Sequence, residues 1–299
     1  MAGKKKQRKR DTKNKGYPKG KRAGKKQKSN VKVNKPDKSA QPHIPNTAVP
    51  PEKSGNEDIR LNKYIAHSGL CSRRDADTLI EEGRVTVNDK PVKEMGVKVS
   101  PADRVKVDGQ TLQLESYAYL LMNKPKDTIT TTSDEKDRKT VVDIVGEATG
   151  KRLYPVGRLD RNTTGALLLT NDGDLAHRLM HPRYKVKKVY ELVPEKILSD
   201  EEVSKLIEGI ELEDGLAKAH QIRRSGEDPS MLEITLLEGR NRQLRRMMEA
   251  LGTGVKSLKR VKYAGLDLKG VRIGRWRTLR RKEVHQVRKM VKLDPLDFN

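Results

Sequence analysis

The chain has 299 residues, with 65 Lys and Arg against 41 Asp and Glu, and a formal net charge of +24. A single cysteine, Cys71, excludes an internal disulfide framework and any multi-cysteine zinc site, and it fits a reducing cytoplasm. There is no Gly-Lys-Ser/Thr phosphate loop and no dinucleotide fingerprint, and His177 and His181 sit four apart with no third metal ligand in view, so metal- and nucleotide-dependent chemistry are disfavoured.

Residues 1–58 hold 18 Lys and Arg, five Asp and Glu, and no Phe, Trp or Leu. Such a segment cannot bury enough apolar surface to offset chain entropy. It is expected to be a disordered basic arm, with a proline-bearing linker from Pro42 to Pro51. A basic arm on a basic body implies a polyanionic partner, because Lys and Arg neutralise phosphates and release condensed counterions. An acidic membrane surface is the competing partner. The arm, however, has no amphipathic apolar stripe and no lipidation motif, and no run in the chain is long enough to span a bilayer.

Residues 59–116 read as a small folded unit. Ile59, Leu61, Tyr64 and Ile65 have partial helical spacing, and Gly69 breaks it. Ser72 is a good N-cap for a helix from Arg73 to Glu82, with Ala76, Leu79 and Ile80 as its apolar face and Gly83 as its stop. Arg84–Val87 and Val105–Val107 alternate as strands do, and Asn88-Asp89 and Asp108-Gly109 are turn signals. Arg73 and Arg74 start the second helix, where a bound anion would meet both side chains and free backbone N–H groups.

Residues 117–292 read as a second unit, with 293–299 as a short tail. Strands are expected at Tyr117–Met122, Leu153–Val156, Ala166–Thr170, Val189–Val193 and Met231–Leu237. Ser199-Asp200-Glu201-Glu202 is a capping box ahead of a helix carrying Val203, Leu206, Ile207 and Ile210. Asn241 is expected to cap a helix whose stripe is Leu244, Met247, Met248 and Leu251. The mixture predicts an α+β fold with a mixed or antiparallel sheet and flanking helices.

Gly157 to Gly173 reads strand, loop, strand and turn, and then leads into a helix that Pro182 stops. Asp160 lies in the loop between Arg158 and Arg161, whose charges suit an anionic, nucleophilic carboxylate. An isolated Leu-Asp-Arg would more often be a turn aspartate satisfying local N–H groups.

Longer stretches carry a resemblance. Arg60 to Ala66, Gly69 to Arg74 and Gly83 to Asn88 together resemble the alpha-L RNA-binding domain shared with a small-subunit ribosomal protein. That resemblance implies Arg60, Lys63, Arg73, Arg74 and Arg84 as phosphate contacts. The full Gly157–Gly173 segment, continued through Leu175 to Pro182, resembles the catalytic segment of pseudouridine synthases of the RsuA/RluB branch, which modify ribosomal RNA. Lys188-Val189-Tyr190 is similar to the element carrying that family's active-site tyrosine, and Glu238 to Met247 to its basic third motif. Residues Lys259 to Ala264 favour the large-subunit type.

The resemblance implies uridine isomerisation in ribosomal RNA or an assembling ribosomal particle, by a cytoplasmic monomer without cofactor or metal. Asp160 would be the catalytic carboxylate, acting either by bonding to sugar or base or by removing a sugar proton. Tyr190 would stack beneath an everted base. Helical geometry sets Arg245 at the edge of the Leu244–Met247–Met248 stripe, able to bury its stem and direct its guanidinium into a cleft beside Asp160. Leu244 would wall that pocket. Arg158, Arg161 and Arg242 are left as further RNA contacts, and Arg242 and Arg246 would face solvent or phosphate. Deleting residues 1–58 should flatten the salt dependence of RNA binding, read as the slope of log Kd against log salt. An unchanged slope would make the arm a passive extension.

Overall fold

The computed structural model describes residues 58–146, 149–226 and 228–296. The expected basic arm lies outside them, apart from Asp58. The small unit runs β1 (Ile59–Arg60), α1 (Leu61–His67), α2 (Arg73–Glu81), β2 (Val85–Val87), β3 (Lys90–Val92), β4 (Lys98–Val99), β5 (Val105–Val107) and β6 (Gln110–Thr111). Ser72 caps α2 as expected, and Asp75 completes a reciprocal box: its N–H donates to Ser72 Oγ at 3.2 Å and its carboxylate accepts from Ser72 N–H at 3.1 Å. Asn88 and Asp89 both take positive φ between β2 and β3, and Asp108 and Gly109 do so between β5 and β6. These are the primed turns that a two-residue hairpin needs. Leu61, Ile65, Ala76 and Ile80 from the helices pack on Val85, Val99 and Val105 from the strands.

The second unit runs β7 (Tyr119–Lys124), α3 (Val141–Val145), β8 (Tyr154–Pro155), β9 (Thr164–Thr170), α4 (Gly173–Met180), β10 (Lys188–Pro194), α5 (Asp200–Glu208), β11 (Ile210–Leu212), β12 (Gly215–Ala217), β13 (Gln221–Arg224), β14 (Leu232–Leu236), α6 (Gln243–Ala250), β15 (Val255–Tyr263), β16 (Leu266–Asp267), β17 (Trp276–Thr278) and α7 (Arg281–Met290). Its sheet has the order β13-β14-β10-β15-β9-β7-β17, with β16 beside β15 and β8 beside β9. All pairs are antiparallel except β9 with β15. The sheet is therefore mixed, and the α+β expectation stands.

Side chains alternate between two cores on opposite faces, as strand geometry requires. Leu120, Met122, Leu167 and Leu169 join Leu206 of α5 and Leu244, Met247 and Met248 of α6. Tyr119, Leu121, Ala166 and Leu168 join Leu175 and Leu179 of α4 and Val284 and Val287 of α7.

Residues 293–296 are not a free tail. Leu296 is buried in the second core, and Asp294 O accepts from Arg288 Nε at 2.6 Å. The anchor is an ion pair deep in the protein: Arg288 Nη1 lies 2.8 Å from Asp172 Oδ2, with both side chains almost wholly buried. Asp172 also accepts from the Tyr119 hydroxyl at 2.8 Å and caps α4 through Leu175 N–H. Burial, reinforced by the Asp172 charge, pushes the Tyr119 phenol well above its ordinary pKa. Removing one partner of such a pair strands the other, so Asp172→Ala should cost about 3–5 kcal/mol. Chemical denaturation reads this directly, and a loss under about 1 kcal/mol would put the pair in the class of weak surface contacts.

Candidate active site

The loop joining β8 to β9 carries Asp160, and several anchors fix its backbone. Thr130 Oγ1 donates to Leu159 O at 2.8 Å and accepts from Leu159 N–H at 3.2 Å. Thr163 N–H donates back to Asp160 O at 3.0 Å, closing a tight turn. Beneath the turn lies Lys124, the last residue of β7, with no solvent exposure. Its ammonium donates to Pro125 O at 3.0 Å, Arg161 O at 3.2 Å and Thr163 O at 2.9 Å. Burial pushes this lysine down to about 8, against a smaller upward pull from Asp160.

On leaving the loop the chain is pressed against β15. Gly165 has φ +109°, and a Cβ there would stand 2.2 Å from Arg260 O. No side chain fits this approach, which lets two strands run parallel for the short pairing of Thr164 with Lys259 and Gly165 with Arg260. Arg260, itself buried, donates through Nε to Ala166 O at 2.7 Å and lies over the Tyr263 ring at 4.5 Å.

Asp160 faces a small cleft. Tyr190 from β10, Leu236 from β14, Leu258 from β15 and residues 239, 240 and 242–245 at the start of α6 complete its lining. Asp160 Oδ2 lies 3.6 Å from Arg245 Nε, and the two side chains are 35 % and 15 % exposed. This is a charge contact rather than a hydrogen bond, and Arg245 Nε is buried with no hydrogen-bond acceptor among the described residues. Tyr190 is 9 % exposed and Leu244 4 %, so both belong to the core while bordering the cleft. The structure thus brings Asp160, Tyr190, Arg245 and Leu244 together, with Arg158 and Arg242 on the same lining.

Three of the other arginines expected to meet RNA are held by carboxylates. Arg161 pairs with Asp127 at 3.1 Å, Arg242 with Glu249 at 3.2 Å, and Arg84 with Asp108 at 2.6 Å and Glu82 at 3.1 Å. Arg246 does not face solvent alone but grips both oxygens of Asp214, at 2.9 and 2.8 Å. Asn241 does not cap α6. The cap position is Arg242, in the left-handed region at φ 47°, with no side-chain cap bond.

Several site residues went unnoticed in the sequence. Gln243 accepts from Arg240 N–H at 3.2 Å and donates to Glu238 at 2.9 Å, which ties the loop before α6 to the helix start. Arg240 reaches the carbonyls of Gly215 at 2.8 Å and Leu216 at 2.6 Å on the β11–β12 hairpin. Lys188 lies under Gly239, and burial, aided by the Arg260 charge, pushes it down to about 8. Lys124 gave one faint signal, a charge ending a run of strand-like apolar residues.

Lys124→Met should leave three carbonyls, two of them in the Asp160 loop, without their charged donor, costing about 2–4 kcal/mol and most of the turnover. The pH dependence has a definite sign. The unfolded chain keeps this proton up to 10.5 and the folded one to about 8, so the group's contribution to stability rises with pH across that window. Over the same range the neutral amine has one N–H fewer for the loop, and turnover falls. Denaturation of native and variant protein at pH 7.5 and 10 checks this: identical pH dependence in the two would remove Lys124 as the titrating group.

Known proteins resemble this chain over both folded units. A family model described as RNA pseudouridylate synthase matches residues 118–250, and an S4 domain model matches residues 59–105. Ribosomal large subunit pseudouridine synthase B of Bacillus subtilis is 44 % identical over 233 residues, which cover 77 % of this chain and 95 % of that protein. Dual-specificity RNA pseudouridine synthase RluF of Escherichia coli is 36 % identical over 239 residues, 79 % of this chain and 80 % of that one. Among solved structures, a pseudouridylate synthase crystal structure superposes with a TM-score of 0.56 at 27 % identity, covering 77 % of this chain and 99 % of its own.

Proposed function

The chain belongs to the RNA pseudouridylate synthase family, and we propose that it isomerises a uridine of large-subunit ribosomal RNA, with Asp160 as the catalytic carboxylate. The observation that carries the reading is the 3.6 Å approach of Asp160 to Arg245 in a cleft that Tyr190 also lines. The large-subunit assignment draws on the similarity to the Bacillus subtilis enzyme, and the matching S4 domain supports RNA as the partner.

The reaction breaks the bond from ribose C1′ to uracil N1, forms one from C1′ to C5, and moves the C5 proton to N1 in net terms. Nothing is oxidised and no atom is lost, so the residues need only activate, hold and turn the base. The target base first leaves its stack, at a cost of a few kcal/mol. The Tyr190 ring at the cleft supplies a replacement stacking surface. Asp160 then assists departure of uracil, by attack on sugar or base or by taking a sugar proton. Arg245 keeps the carboxylate oriented, a positioning role that a partly buried ion pair performs without adding much stability. Leu244 and Leu258 exclude water from the reacting face. The same proposal has the protein working as a monomer in the cytoplasm.

Asp160→Asn should abolish tritium release from RNA labelled at uridine C5 while leaving RNA binding within about twofold, as expected for a group acting in the transition state. Turnover at the native rate would sink the assignment. Tyr190→Phe should retain far more activity than Tyr190→Ala if stacking dominates, and equal losses would move the role to the hydroxyl. A map of pseudouridines in large-subunit RNA from cells lacking the protein should miss a site that the native gene restores.

A further inference from the structure

Two buried polar atoms of residues that line the Asp160 cleft have no hydrogen-bond partner among the described residues: Thr163 Oγ1 and Arg245 Nε. Arg245 at least has the Asp160 charge at 3.6 Å. The Thr163 hydroxyl makes neither an ion pair nor a hydrogen bond, in a residue only 2 % exposed. A hydroxyl buried in this way gives up its bonds to water and receives nothing from the fold in return.

The rest of Thr163 is fully engaged. Its N–H donates to Asp160 O at 3.0 Å, and its carbonyl accepts from the buried Lys124 ammonium at 2.9 Å. Asp160 and Thr163 therefore stand at the two ends of one tight turn, and the same anchors position both. A β-branched side chain on a backbone held at both polar groups has few rotamers left. The hydroxyl is thus fixed before any substrate arrives, and a group fixed beforehand loses little entropy when it binds.

The cleft gives that hydroxyl a role. It has room of about 70 Å³, enough for a few waters, whereas pockets that enclose small ligands run from roughly 300 Å³ upward. An everted uridine must part the walls to enter, and the polar atoms now covered then become the lining it meets. A threonine hydroxyl donates one hydrogen bond and accepts others, so it matches the neutral polar groups of a nucleoside.

We propose that Thr163 is a substrate-binding residue, its hydroxyl forming a hydrogen bond to the everted uridine, at the ribose 2′-hydroxyl or at a uracil carbonyl. The bond holds the nucleoside against Asp160, which the same turn presents. The proposal rests on the isomerase function above and adds a residue to it.

The test compares full-length native, Thr163→Val and Thr163→Ser proteins. The substrate is a synthetic RNA hairpin carrying the uridine that the pseudouridine map identifies, labelled with tritium at C5. Valine keeps the side-chain shape and strands no partner in the folded protein, so its denaturation midpoint should equal or exceed the native one. Its kcat/KM for tritium release should nevertheless fall roughly ten- to hundredfold, and serine, which restores the hydroxyl, should recover most of the loss. With 2′-deoxyuridine at the target, valine should cost nothing further if the bond goes to the ribose, and the same factor again if it goes to uracil. Native kcat/KM in the valine variant would overturn the proposal. A loss accompanied by a lowered denaturation midpoint, or one that serine does not relieve, would do so too, because the residue would then serve the fold. A native protein that releases no tritium sinks the isomerase reading itself, whereas a valine variant as active as an active native enzyme removes Thr163 alone.

Discussion

The arrangement of the site depends on one buried ammonium group. Lys124 ends a strand whose six residues are all buried, and at that depth a lysine charge is costly unless its hydrogens are matched. Three carbonyls match them, two from the loop that carries Asp160. The loop is therefore tied to the sheet by a charge rather than by packing, and its backbone has few other places to go. Gly165 supplies the second constraint, since only a residue without a side chain lets β9 close on β15 at Arg260 O. Between them these contacts fix both ends of a turn that local propensity alone would leave free.

The opposite wall of the cleft is set by different physics. Helix α6 begins at Arg242 in the left-handed region, a conformation that costs a non-glycine residue on the order of 1–2 kcal/mol. Glu238, Arg240 and Gln243 hold that start in place by hydrogen bonds to one another and to the β11–β12 hairpin. The reward is directional. With Leu244, Met247 and Met248 buried in the core, Arg245 is carried to the helix edge and its guanidinium reaches the carboxylate of a loop anchored elsewhere. Neither partner of the pair selects the other. Each is delivered by its own scaffold.

What the sequence revealed follows the same division. The hairpin turns, the Ser72 and Ser199 caps and the strands bearing Leu120, Leu167 and Leu192 were legible because their signals are local: turn residues, capping hydroxyls and short runs of apolar residues. Strand β15 was not, although it borders both β10 and β9. Its Val-Lys-Ser-Leu-Lys-Arg-Val-Lys-Tyr reads as a charged segment because one inward position is Arg260, satisfied by a carbonyl and an aromatic face that only the fold supplies. Helix α7 was hidden likewise, its buried Arg288 paired with Asp172, 116 residues earlier. Asp160, Tyr190 and Arg245 were found by resemblance to known motifs, and helical spacing supported Arg245 alone. Lys124 was missed because its partners are backbone groups, which leave no mark in the sequence, and Gln243 because its ties to Arg240 N–H and the Glu238 carboxylate form only in the folded loop.

A net charge of +24 suggests arginines spread evenly toward a polyanion, but the fold sorts them into classes. One class is structural, turned inward to carbonyls and carboxylates, as Arg240, Arg260 and Arg288 are. Another, including Arg84 and Arg246, is neutralised on the surface by acids from neighbouring turns. Others carry no ion pair among the described residues, Arg74, Arg183, Arg223, Arg272 and Arg275 among them, and position distinguishes Arg158, which borders the Asp160 cleft. A polyanion is drawn most strongly where positive potential is not already cancelled. Acids placed in neighbouring turns thus decide which of these arginines keep an open charge, and Arg158 keeps one on the lining of the Asp160 cleft.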